Sequence, residues 1–111
     1  MPAPLLIRLD TPREDFLGAC EEMGMKSSCI FKRAMPDFAT YGALLEFLES
    51  TDDNHLRFTC AMFAVNVLWD CFDKQARLKS VEVMSRHLSG PAYHVVFSRI
   101  VKKEAEVSLT T

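Results

Sequence analysis

Apolar residues recur at helical spacing along most of the chain. Phe16, Leu17, Cys20 and Met23 fall on one face of a first helix. The preceding Thr11-Pro12-Arg13-Glu14 has the form of a capping box, with Thr at the N-cap, Pro at the first helical position and Glu at the third. Gly24 supplies a stop. Ser27 is placed to cap a second, shorter helix carrying Ile30, Phe31 and Ala34. Pro36 ends that helix, because the residue before a proline is pushed out of the α region. Asp37 is placed to cap a third helix, with Phe38, Tyr41, Leu44, Leu45 and Leu48 facing inward.

The pattern then changes. From Cys60 to Trp69 the only polar side chain is Asn66. A helix that is apolar all round must be enclosed by protein or lipid. This run is too short for a bilayer, which needs about 20 such residues. It therefore predicts a buried central helix over about residues 53–72, capped by Thr51-Asp52-Asp53. A fifth helix is expected from Lys74 to Leu88, with Leu78, Val81, Met84 and Leu88 facing inward. Ser89-Gly90-Pro91 separates it from a sixth, where Tyr93, Val96, Phe97, Ile100 and Val101 repeat at the spacing of one helix face.

No strand pairing is required, so the expected fold class is all-α: a compact bundle of five to six short helices around the central one. The domain expectation is an N-terminal arm at 1–10, a single helical domain over 11–106 and a flexible tail over 107–111. At 111 residues one core can form without staples. The composition, 49% apolar and 25% charged, argues against disorder. No secretory leader is legible, since the apolar Leu5–Ile7 is short and followed by Arg8 and Asp10.

Cys20, Cys29, Cys60 and Cys71 include no C-x-x-C pair, so neither a zinc site nor a thioredoxin-type motif is expected. In apolar helical surroundings they read as reduced, structural thiols of an intracellular, cytoplasmic protein. His55, His87 and His94 show no metal-binding or catalytic spacing. A Cys–His couple could form only across helices, for instance Cys71 with His94. No phosphate-binding loop or nucleophile elbow is present. The expectation is a protein that is not an enzyme and uses no cofactor or metal. Met1, Met23, Met25 and Met35 cluster in the N-terminal third, where exposed methionine would favour adaptable contacts.

Charge is distributed unevenly although the net value is only −2. From Asp10 to Asp53, ten acids face four bases. From Lys74 to Lys103, seven bases face Glu82 alone. The two halves could simply attract each other within one molecule, and such exposed pairs contribute little. Alternatively, Lys74, Arg77, Lys79, Arg86, Lys102 and Lys103 form a basic face for an acidic protein surface, or for the acidic half of a second copy. Nucleic acid is a weaker match, because the bases lack interleaved aromatics and the pI is about 5.9. Asn66 is the second candidate: a buried amide must be hydrogen-bonded, or else it faces a pocket or sets helix register in an oligomer.

The window Leu44–Ser50, followed by Asn54, Leu56, Phe58 and Ala61, resembles the middle of a regulator-of-G-protein-signalling box. It is similar also to a single armadillo or HEAT unit. Thr59 stands where the first of these has tryptophan, and no second copy of the unit exists, so neither likeness transfers a function. The functional expectation is a non-enzymatic helical interaction module, an adaptor or inhibitor that self-associates and uses its basic C-terminal face. The alternative is a small nucleic-acid-binding regulatory or viral protein using the same face.

Overall fold

The computed structural model describes residues 6–24, 30–34, 37–88 and 90–110. Six α-helices follow in order: α1 (Arg13–Glu22), α2 (Ile30–Ala34), α3 (Tyr41–Ser50), α4 (Asn54–Phe63), α5 (Lys74–His87) and α6 (Gly90–Thr110). After α4 the chain continues through a π turn, Ala64–Leu68, and a 3-10 turn, Trp69–Cys71. The class is all-α. Among the described residues the β content is two isolated bridges, Ile7 with Phe72 and Pro12 with Thr40.

The caps explain where the helices start. Asp53 accepts a hydrogen bond from the Leu56 amide at 2.9 Å, and Asp73 accepts one from the Ala76 amide at 2.8 Å. Two caps differ from expectation. The Thr11 hydroxyl turns back to accept from the Arg8 amide at 2.7 Å, so it closes the turn of the arm. Pro12 is the N-cap of α1, and the Ala39 carbonyl accepts from the Arg13 amide at 3.0 Å. For α3 the cap is Thr40, whose hydroxyl accepts from the Ala43 amide, and Asp37 lies exposed upstream. Ser27 and Pro36 lie outside the described residues.

The arm docks on the body from residue 6 onward. The Ile7 amide donates to the Cys71 carbonyl at 2.7 Å, and the Asp73 amide donates to the Ile7 carbonyl at 2.9 Å. Gly42 donates to the Leu9 carbonyl at 2.8 Å. This places Ile7, fully buried, beneath the end of the 3-10 turn.

An aromatic row forms the centre of the core. Tyr41 stacks between Phe16 (4.9 Å) and Phe72 (5.1 Å), while Phe31 and Phe38 meet Phe16 edge-on. Leu44, Leu45, Leu48, Cys60, Ala61, Ala64, Val65, Leu68, Trp69, Val83 and Met84 surround it. Arg57 is the one buried cation among the described residues. Its Nε donates to the Leu48 carbonyl at 2.8 Å, one terminal nitrogen donates to Asn54 Oδ1 at 2.6 Å, and the other reaches the Thr51 carbonyl. These bonds satisfy carbonyls that the end of α3 leaves without intrahelical partners.

Three expectations about facing are corrected. The rod from α4 through the 3-10 turn is not swallowed on every side, since Phe58, Met62, Phe63 and Val67 are only half-buried and Asn66 is exposed. On α5 the core positions are Ala76, Ser80, Val83 and Met84, whereas Leu78 is 56% exposed. On α6, Val96 and Ile100 are buried but Phe97 and Val101 are exposed, because α6 packs along a single narrow line. The helix also runs past the expected boundary at 106 as far as Thr110.

Candidate functional site

The open side of α4 forms a groove of about 290 Å³ lined by Phe58, Thr59, Met62, Phe63, Asn66 and Val67. The lining pairs recur every four residues, so the furrow runs along the helix rather than across it. One wall is held from below, where Phe63 meets Phe31 of α2 edge-on at 6.4 Å. The π turn opens just beyond Phe63. Its one extra residue per turn sends Ala64, Val65 and Leu68 into the core and leaves Asn66 pointing outward.

Asn66 is therefore not a buried amide. Its Oδ1 accepts from the Arg99 guanidinium at 3.4 Å. It also lines a second depression, of about 320 Å³, with Arg99, Lys102, Lys103 and Glu106 of α6. Spacings of three and four put these α6 residues on one helix face. Lys103 Nζ lies 4.0 Å from Glu106 Oε2. Arg99 and Lys102 are exposed and Lys103 is half-buried. One side chain, Asn66, is thus shared between an apolar groove and a basic depression.

The remaining candidate bases go elsewhere. Lys74 and Arg77 line a separate depression with Phe72, Leu78 and Glu104. Arg77 is tied to the body, with Nε donating to the Trp69 carbonyl at 3.2 Å and its guanidinium 5.9 Å from the centre of the Trp69 ring. Arg86 bridges Glu82 on its own helix and Glu49 on α3. That contact is the internal attraction between acidic and basic halves. Lys79 is half-buried and shares the face of α5 that carries Glu82 and Arg86. The six bases do not form one face; Lys102 and Lys103 meet, and Arg99 joins them.

Arg99 and the α4 groove were not singled out by the sequence. The 99, 102, 103, 106 spacing was a usable signal for Arg99. The groove had none, because an uninterrupted apolar run does not say which side its neighbours leave open. On the other side of α6, Phe97, Val101 and Glu104 share a face, and Glu104 lies in the depression with Leu78. Leu78 on α5 and Phe97 and Val101 on α6 are exposed apolar side chains.

Among the described residues, Cys20, Cys60 and Cys71 are not joined in disulfides, and Cys20 and Cys60 are buried. Burial, reinforced by the negative charges of Asp70 and Glu22, pushes the Cys71 thiol up, which favours its protonated form. His55 and His94 are exposed. No group of three His, Cys, Asp or Glu side chains is placed to hold a metal ion among the described residues. No described helix is long and apolar enough to cross a membrane. No family model, curated protein or solved structure matches the chain.

Proposed function

We propose that this chain is a non-enzymatic protein-interaction module, an adaptor or inhibitor, that binds an acidic protein surface through α6 and the adjoining open side of α4. The observation that carries this reading is the position of Asn66, which joins an apolar groove to the Arg99–Lys102–Lys103 cluster. A charged rim beside a compact apolar centre is the usual anatomy of a protein-binding patch. The groove matters physically because a helix that is apolar all round, with one side open, leaves apolar surface for another molecule to cover.

The bases that carry recognition are then Arg99, Lys102 and Lys103, while Arg77 and Arg86 hold the fold. Reversing Arg99 and Lys102 to Glu abolishes capture of an acidic partner in a pull-down, and reversing Arg86 does not. Equal capture by the Arg99/Lys102 variant would count against the reading. The exposed apolar side chains of Leu78, Phe97 and Val101 support self-association as a part of the same function. Light scattering then gives a mass above the monomer, and Val101→Glu returns it to the monomer. Buried cysteines that are not joined in disulfides favour a reducing, cytoplasmic setting.

Nucleic acid is the competing partner, since exposed Arg99 and Lys102 could meet phosphates. The apolar groove beside the depression offers a phosphate backbone nothing. A mobility shift that weakens steeply with salt would favour it; no shift at low salt removes it.

A further inference from the structure

We infer that the occupant of the α4 groove is an amphipathic acidic helix from another protein. This rests on the acidic-partner reading above and specifies its conformation and anchor chemistry. The groove runs from Phe58 to Val67, about 13 Å along the helix axis. Within each lining row the residues lie four apart, so between the rows runs a furrow of the kind into which the side-chain ridge of a second helix packs. The walls are side chains of α4 and of the π turn that continues it, and helical backbone pairs its amides and carbonyls within the chain segment itself. An extended peptide laid there would find no backbone partner. A helix brings its own hydrogen bonds and needs only apolar side chains at i, i+3 or i+4, and i+7. Met62 at the centre can reshape to fit such anchors.

The polar end fixes the charge. Past Asn66 the groove gives onto Arg99 and Lys102, within one turn of where an apolar anchor would sit. Carboxylates on the flank of the incoming helix meet those cations, which gives the complex its orientation. A second copy of this chain is a poor occupant. Its acidic helix α1 exposes Glu14, Asp15, Glu21 and Glu22, but the apolar anchors Phe16, Ala19 and Cys20 are buried in its own core.

The test uses two fluorescent synthetic peptides of one composition. The first has leucines at i, i+4 and i+7 with flanking glutamates, and the second has the same residues scrambled. The patterned peptide is expected to bind at least about tenfold more tightly. It should also shift the methyl resonances of Met62 and Val67 in the unsubstituted protein. Arg99→Glu with Lys102→Glu, both at exposed positions, should weaken its binding at least about tenfold. Equal affinity for both peptides overturns the helix while the acidic-partner reading stands. Tight binding of the patterned peptide that ignores the charge reversal overturns that reading instead. Failure of both peptides overturns the two together. Preferential binding of a single-stranded oligonucleotide, or concentration-dependent shifts of the Met62 and Val67 methyls without peptide, overturns the proposal in favour of nucleic acid or a second copy.

Discussion

The hydroxyls of Tyr41 on α3 and Ser80 on α5 share a hydrogen bond of 2.7 Å, and both side chains are wholly buried. This polar pair pins the α3–α5 contact inside the aromatic row. Removing one partner leaves the other hydroxyl buried without it, at a cost of about 1–3 kcal/mol. Tyr41→Phe and Ser80→Ala should each destabilise by about that amount. The double variant should lose clearly less than the two losses added together, because neither hydroxyl then remains. Urea unfolding of the four proteins measures the coupling, and strict additivity would show that the bond contributes nothing specific.

Tyr41 also makes the fold sensitive to alkali. Burial raises its pKa above the ordinary 10.0, outweighing the hydrogen bond to Ser80. The folded state therefore keeps its proton where the unfolded chain gives it up. The resulting stability is fully present below pH 10.0 and is lost as pH rises beyond it. Thermal melts should fall above pH 10, and Tyr41→Phe should flatten that fall.

Arg57 closes the end of α3 with donors that no other side chain can arrange in the same fork. Arg57→Lys should destabilise by about 2–3 kcal/mol, since one ammonium cannot replace the planar set that reaches Leu48, Thr51 and Asn54. Calorimetry checks this; a melt unchanged by the substitution would mean water serves those carbonyls equally well.

Two glycines inside helices should respond oppositely to alanine. At Gly18 an added Cβ meets nothing within 4 Å, so helix propensity alone acts and stability should rise by up to about 1 kcal/mol. At Gly42 the Cβ would lie 3.0 Å from the Leu9 carbonyl oxygen, which the Gly42 amide already holds. Gly42→Ala should lower stability by about 1 kcal/mol despite the same propensity gain. It should also speed hydrogen exchange of the Ile7 and Asp73 amides as the arm loosens.

Arg86 and Lys102 were equivalent as positive charges in the sequence, but they should separate in experiment. Arg86→Ala should lower stability by about 0.5–1 kcal/mol, the worth of an exposed two-carboxylate network, and leave partner binding intact. Lys102→Ala should leave the melting temperature unchanged and weaken partner capture. A reversed pattern would place the recognition surface on the α3–α5 side.

Helices α1, α3, α4, α5 and α6, and the Asp53 cap, were legible because apolar spacing and capping act over a few residues. Thr11 was misread because its neighbours determine a capping box only when the preceding turn does not claim the hydroxyl, and here Arg8 claims it. Leu78 and Phe97 match an apolar stripe as well as Met84 and Val96 do; the angle at which α5 and α6 cross selects the buried pair.

By itself the sequence determined the all-α class, the order of the helices and the uneven placement of charge, since these follow from local periodicity and residue chemistry. The tertiary structure alone decided that Asn66 faces outward, that Arg77 and Arg86 are tied to groups of the fold while Arg99 and Lys102 stay exposed beside Asn66, and that one side of α4 is left open. Each of these depends on which helix lies across which. That choice is made by packing between residues far apart in the chain, where no local pattern can record it.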